Sequence, residues 1–283
     1  MKSGISEIVH IIPLRHEFDR AVRPFDSAAA NHVYIVADAG MTAEENIPPV
    51  SEYVSRVVRY LKKKHIPADV VETDFSDMGE LLKTIASLIR KEQISGNRVY
   101  VNMSAAGELG AAAAALAGMA LNAEVYCVHA DGYATDAERA ASGVSVCREN
   151  VVSILPQVDI HLPDDTELPV LEELYYAENS SLSASEISEV VAGDAEINDD
   201  CCMMNCSCSP SVEPPAVLRE ETAFADRWDK RKVQSRNLMK VSGMMKRMED
   251  KGYVTKAKSG RKMLYQLTER GRYALILSGY IDT

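Results

Sequence analysis

Residues able to do chemistry fall in four stretches of this chain. In the first, Arg98 to Ala120, the apolar run Val99-Tyr100-Val101 leads into Asn102-Met103-Ser104-Ala105-Ala106-Gly107-Glu108 and then into alanine-rich sequence. A strand that breaks into small residues and restarts as a helix leaves backbone N–H groups unpaired at the helix start, where a ligand can approach closely. The spacing therefore predicts a ligand-facing turn. The second stretch, Leu14-Arg15-His16-Glu17 with Asp19 beyond it, gathers acid and base groups. No Ser or Cys nucleophile or second His stands in a recognisable relation to them, so no catalytic residue is assigned and the expectation is not an enzyme.

The third stretch holds Cys201, Cys202, Cys206 and Cys208, four of the chain's 6 cysteines. In a reducing compartment, thiols this crowded favour metal or redox chemistry over structural disulfides. The Cys-Cys-x3-Cys-x-Cys spacing lacks the Cys-x2-Cys knuckles of zinc modules and fits no ferredoxin pattern. Zinc, an iron–sulfur cluster, thiol-based sensing and an unstructured insertion all stay open. The fourth stretch is basic. Ser235 to Gly252 sets Leu238, Val241, Met245 and Met248 on one helical stripe, with Arg236, Lys240, Gly243 and Arg247 opposite and Lys246 nearby. Lys256 to Lys262 then reads as a basic hairpin tip centred on Gly260.

Composition sets the frame for these stretches. With 283 residues, 46% hydrophobic and 26% charged, the chain suits two globular domains. Its longest apolar run, Ala111 to Leu121, is well short of the ~20 residues that span a bilayer, and no basic-then-apolar signal region opens it. The expectation is a cytoplasmic protein with no membrane partner. The net charge of -11 conceals a segregation: residues 1 to 163 carry 15 Lys/Arg against 21 Asp/Glu, residues 164 to 216 none against 13, and residues 217 to 272 carry 16 against 7. A basic module beside an acidic segment is the footprint of a local DNA-binding surface in an otherwise acidic chain.

Residues 1 to 163 alternate strand and helix patterns. Strands are expected at Glu7 to Leu14, His32 to Ala37, Ala68 to Val71, Val99 to Val101 and Glu124 to Val128. Helices are expected at Asp19 to Ala30, with a kink or start near Pro24, at Pro49 to Lys64, at Met78 to Arg90, and after Gly107. This is an α/β, Rossmann-like, mainly parallel sheet with flanking helices, whose ligands bind at the C-terminal strand ends. Asp38 stands at one such end, either toward a ribose hydroxyl or as a solvated turn residue, while His10 and His129 read as packing or edge residues. The Gly-x-Gly-x-x-Gly fingerprint and the phosphate loop are both absent, which argues against a nicotinamide dehydrogenase and a P-loop NTPase.

Residues 164 to 216 form an acidic linker that carries two short helices, Leu168 to Ala177 and Ser183 to Val191, the second capped by Ser183 or Ser185. Gly193 to Pro215 has loop composition. This acidic segment is either a solvated linker or, being long enough to fold over the basic module, a competitor with DNA. In residues 217 to 283, Gly252 caps the basic helix, Tyr253-Val254 and Met263 to Leu267 flank the hairpin, and Thr268-Glu-Arg-Gly271 caps a last helix through Leu277. These features resemble the winged helix-turn-helix transcription regulators of the multiple-antibiotic-resistance and archaeal-repressor kind. The resemblance implies a helix in the major groove of double-stranded DNA, with Arg236, Asn237, Lys240 and Ser242 reading bases. It implies that Lys246, Arg247, Lys256, Lys258, Arg261 and Lys262 supply the remaining contacts, the last four from a wing against phosphates or the minor groove.

Val9-His-Ile-Ile-Pro13-Leu followed by Glu17-Phe-Asp19-Arg-Ala-Val-Arg-Pro24-Phe25, joined to a signature after the fourth strand and a winged helix, resembles the CRISPR-associated Rossmann-fold (CARF) regulators and a related, largely archaeal group. The resemblance implies a pocket shared across a homodimer, built from Asn-x-Ser/Thr-Gly-Gly and a following Lys or Arg, with a cyclic oligoadenylate as ligand. Asn102 and Ser104 match; Ala105 and Ala106 replace the glycines, Gly107 falls one place later, and Glu108 stands where a base is expected. A carboxylate there repels a phosphate that would use the same N–H groups. Either Arg15, Arg20 or Arg23 supplies the charge, or the ligand is of another kind. The ligand-binding candidates are Leu14, Arg15, His16, Glu17, Asn102, Ser104, Ala105, Ala106, Gly107 and Glu108, and the small residues from Gly110 to Gly118 are expected at a twofold helix interface. The expected function is a homodimeric transcription regulator that responds to a nucleotide-type small molecule. The alternatives are a cyclic-nucleotide-cleaving enzyme and a protein-docking module.

Overall fold

The computed structural model describes residues 6–38, 49–177, 181–199, 239–260 and 262–281, in two units, Met1–Leu162 and Pro163–Ile281. The first unit runs β1 (Ile8–Leu14), α1 (Asp19–Val22), β2 (His32–Asp38), α2 (Val50–Lys63), β3 (Ala68–Thr73), α3 (Met78–Ile94), β4 (Arg98–Asn102), α4 (Gly107–Ala120) and β5 (Glu124–Val128). After these come β6 (Gly132–Tyr133), α5 (Asp136–Ser142), β7 (Ser145–Val146) and β8 (Val152–Ile154). The main sheet has the order β3-β2-β1-β4-β5-β8, with only β8 antiparallel. The near-continuous apolar runs of β1 and β2 are explained by their central position, where helices cover both faces. Ile12, Leu14, Val33 and Ile35 pack with Val57 and Leu61 of α2 on one of them.

Chain order reverses at β1, whose neighbours are β2 on one side and β4 on the other. The loops leaving the C-terminal ends of β1 and β4 diverge there and open the crevice in which such sheets bind ligands. The expected helix from Asp19 to Ala30 is shorter in the structure. It ends at Val22 and tightens into a 3-10 turn over Arg23–Asp26, because Pro24 supplies no N–H and its ring does not fit a helix interior. The hairpin of β6 with β7, and strand β8, carry no sequence pattern strong enough to announce them.

A second difference concerns α4. Gly110, Ala113, Ala114, Ala117 and Gly118 face inward, not toward a twofold interface. A Cβ on Gly118 would collide with Val125 of β5. The small residues bring α4 close to its own sheet, and the face left exposed carries Leu109 and Leu116.

The second unit comprises α6 (Leu168–Tyr176), β9 (Leu182–Ser183), α7 (Ala184–Asp199), α8 (residues 239–250), β10 (Val254–Ser259), β11 (Lys262–Leu267) and α9 (Glu269–Ser278). β10 and β11 form an antiparallel hairpin, and β9 pairs with β11 through Leu264 opposite Ser183. Its core gathers Leu171 and Leu174, Ile187, Val241, Met245 and Met248, and Leu275. Ser183 caps α7: its hydroxyl donates to Glu186, which also accepts from the Ser183 backbone N–H. α7 continues to Asp199, seven residues into sequence whose composition reads as loop. The Thr268 hydroxyl accepts from Gly271 N–H at 3.0 Å and starts α9.

Candidate functional site

A cavity of about 440 Å³ opens between the β1–α1 loop and the β4–α4 turn. Arg15, His16 and Glu17 of the first loop and Arg20 of α1 line it, with Met103 and Ser104 of the second turn and Gly107, Glu108 and Ala111 of α4; Cys127 and Val144 complete it. The two loops are joined directly, since Arg15 N–H donates to the Ala105 carbonyl at 2.9 Å. Gly107, with φ +73°, makes a left-handed turn that only glycine adopts at little cost, and Arg15 lies 3.6 Å from where a Cβ would sit. No side chain caps α4 at Ala106, and Gly107 and Glu108 of its first turn line the cavity, so the helix starts at the crevice with the positive end of its dipole.

Asn102 is wholly buried, and its side chain is engaged in the turn itself. Its Nδ2 donates to the Arg20 carbonyl at 2.9 Å, while Oδ1 accepts from the Ser104 N–H at 2.9 Å and the Ser104 hydroxyl at 2.6 Å. The Ser104 hydroxyl in turn accepts from Val128 N–H at 3.0 Å. The Asn-x-Ser pattern thus ties three chain segments together, and Ser104 reaches the cavity wall while Asn102 does not. Leu14, Ala105 and Ala106 are also buried in the unit and stay out of the cavity. Of the ten ligand candidates, the structure brings Arg15, His16, Glu17, Ser104, Gly107 and Glu108 to one cavity.

The electrostatics are mixed. Arg15 Nε lies 3.7 Å from Asp38, and Arg20 Nη1 lies 3.9 Å from Glu17 and donates to the Ser104 carbonyl at 3.2 Å. Arg23 turns instead to Asp26 at 3.6 Å. Glu17 is buried, and its carboxylate accepts from the Ser145 hydroxyl at 2.7 Å and the Ser145 N–H at 3.1 Å. Burial raises its pKa above the usual glutamate value, against the opposing pull of Ser145 and Arg20. Asp19 accepts from Cys147 N–H at 3.0 Å and does not line the cavity. The His16-Glu17-Asp19 cluster is therefore in large part a clamp on the segment around β7. At Gly143, φ is +92° and a Cβ would collide with the His16 carbonyl, so glycine is what lets that segment close over the loop.

Cys127 and Val144 escaped the sequence reading. Cys127 is the penultimate residue of β5, next to the strand end that the strand-end rule points to; Val144 is placed by a tertiary contact that leaves no local pattern.

In the second unit, α8 buries Val241, Met244, Met245 and Met248 and exposes Lys240, Ser242, Lys246 and Arg247. Lys258 and Lys262 are exposed at the tip of the hairpin. Lys256 is exposed as well and pairs with Glu249 at 2.7 Å, which raises its pKa. Arg236, Asn237 and Arg261 lie outside the described residues, as do Cys201, Cys202, Cys206 and Cys208. No helix among the described residues is long and apolar enough to cross a membrane.

Among known proteins, the family profile described as "HFX_2341_N:-like, N-terminal" matches residues 8–133. No curated protein matches the chain. Among solved structures, protein VC1899 from Vibrio cholerae is 13% identical with a TM-score of 0.40, over 95% of this chain and 64% of that one. Can2 from Sulfobacillus thermosulfidooxidans, solved in complex with cyclic tetra-adenylate, is 9% identical with a TM-score of 0.38, over 96% of this chain and 64% of that one. Enterococcus italicus Csm6, bound to cyclic hexa-2'-fluoro-hexa-dAMP, is 8% identical with a TM-score of 0.36, over 70% of this chain and 56% of that one. The chain spans less than two thirds of each of these three structures. The stretch from β1 to β6, which contains both cavity loops, is thus similar to the HFX_2341_N:-like N-terminal domain.

Proposed function

We propose that this chain is a homodimeric, ligand-responsive DNA-binding transcription regulator that takes a nucleotide-type small molecule in its N-terminal unit without turning it over. The observation that carries the ligand half is the switch-point cavity. Arg15 and Arg20 flank it, and the uncapped start of α4 offers backbone N–H groups beside them. Glu17 and Glu108 oppose a polyphosphate, so the fitting ligand presents few phosphates per chain, as a phosphodiester-linked oligonucleotide does. Cyclic oligoadenylate, the class implied by the resemblance of the β1 and β4 segments, meets that condition.

The DNA half rests on the second unit. The order α6, β9, α7, α8 and a hairpin that pairs back on β9 suits a winged helix-turn-helix, with the Lys240, Lys246 and Arg247 face of α8 toward the major groove and Lys258 and Lys262 toward phosphates. Dimerisation through the exposed Leu109 and Leu116 of α4 would present two such units to paired half-sites.

The test measures binding of labelled duplex DNA to the full chain across a salt series, with and without cyclic tetra-adenylate. Removing Lys256, Lys258 and Lys262 together is expected to lower the slope of log K against log salt by about 1 per lost phosphate contact. An unchanged slope refutes the DNA half. An affinity for DNA that does not respond to cyclic tetra-adenylate refutes that ligand, and its conversion to linear product favours the enzyme reading, in which the buried Glu17 would act as the acid.

A further inference from the structure

The N-terminal unit holds a second cavity of about 250 Å³, which shares no lining residue with the first. It lies on one face of the sheet. The register sets His10 beside Tyr100 and Tyr126 beside Ile154, so side chains from β1, β4, β5 and β8 reach it together. His10 is the centre of its floor: its ring stacks on Tyr100 with centroids 5.1 Å apart and an interplanar angle of 15°, and meets Tyr126 edge-on at 5.6 Å. Pro24 and the stretch Ser27 to Ala29 form one wall. Val152 and Ile154, 40% and 61% exposed, form the rim opposite.

The polar groups here are already partnered. His10 Nδ1 pairs with the Tyr126 hydroxyl at 3.2 Å, and the His10 ring also bonds the backbone of Ala29. The Tyr126 hydroxyl further bonds Asn102. The Tyr100 hydroxyl accepts from Arg98 at 2.9 Å, and Arg98 is itself paired with Glu124 at 2.8 Å. The Ser27 hydroxyl accepts from Asn150 at 3.0 Å. Burial pushes the pKa of His10 down to about 4, so its ring is neutral at physiological pH. The floor therefore presents ring surface without charge. It has nothing to offer an anion, and a cation, although the ring faces would attract it, would lose its hydration against Ile8, Pro24 and Ile154 with no carboxylate in the lining to pair with it.

Size narrows the occupant further. A dry apolar cavity of about 150 Å³ is enough to bind benzene, so this volume admits one ring or two fused rings. We propose that the cavity binds a neutral, planar aromatic molecule of that size, seated between the His10, Tyr100 and Tyr126 rings and the Val152–Ile154 rim. The site is separate from the one for the nucleotide-type ligand.

Indole serves as the probe, titrated into the full chain by calorimetry and by saturation-transfer NMR. Ala28→Trp fills the cavity from its wall, and Ile154→Asp sets a charge on its rim at a position already in water, where the fold tolerates it. The expected result is saturable binding of one indole per chain, weakened about tenfold or more by each variant, with thermal midpoints unchanged. Three results would overturn the proposal: indole that does not saturate, affinity indifferent to both variants, or sedimentation in which Ile154→Asp converts a dimer to a monomer. The last would make this face an interface between copies of the chain.

Discussion

Replacing Asn102 by alanine separates two roles that the Asn-x-Ser pattern could serve. If the residue were a ligand contact, its removal would lower affinity and leave the fold intact. In the structure the amide instead holds the Arg20 carbonyl, the Ser104 N–H and hydroxyl, and the Tyr126 hydroxyl, at a wholly buried position. Truncation orphans these groups, and a buried polar group left without a partner costs about 1–3 kcal/mol. Because the Ser104 hydroxyl can rotate to another acceptor, the sum expected for Asn102→Ala is about 3–5 kcal/mol. For a unit of this size that is a fall of about 10 °C or more in the midpoint of its transition. The assay is calorimetry of the full chain together with hydrogen exchange of peptides from β1, β4 and β5, which report this unit alone. Cyclic tetra-adenylate binding is measured on the same samples, below the transition. A midpoint within about 2 °C of wild type, with exchange unchanged and binding lost, would refute the argument and return Asn102 to the ligand.

Other consequences follow from the buried ionisable groups. His10, held at about 4 against the ordinary 6.5, stays neutral in the fold while the unfolded chain takes up a proton. Its stabilisation is complete above 6.5 and is lost as pH falls toward 4, about 3 kcal/mol in all; urea midpoints of wild type and His10→Phe should diverge in slope across that window. Glu17 has the opposite sense. Its raised pKa gives stability that is present below the ordinary 4.5 and lost as pH rises through the folded value, so Glu17→Gln should raise the thermal midpoint at neutral pH and tighten binding of an anionic ligand. In the second unit, Glu167 is fully buried and both its oxygens accept from Lys251 at 2.8 Å. Lys251→Met should therefore destabilise that unit by about 3 kcal/mol, and adding Glu167→Gln should recover most of the loss, read by urea denaturation.

The alternation of apolar runs and helical stripes was sufficient in the sequence to announce five parallel strands and their helices, because burial on both faces forces continuous apolar sequence on β1 and β2. The basic face of α8 was equally legible, since a 3.6-residue period separates Lys240 and Arg247 from Val241 and Met245 without any tertiary information. Strand-end reasoning also found the two loops of the cavity. It did not reveal which side chains the fold would consume. Asn102 is spent on the turn, and Asp19 and part of Glu17 on clamping the β7 segment. The small face of α4 is taken up by its own sheet. Each of those outcomes depends on a partner far away in the chain: Arg20, Cys147, Ser145 and Val125. A local pattern specifies that a group is polar or small, but its hydrogen-bond partner is set only when distant segments pack, and that packing decided which polar groups at the turn after β4 were left facing the cavity.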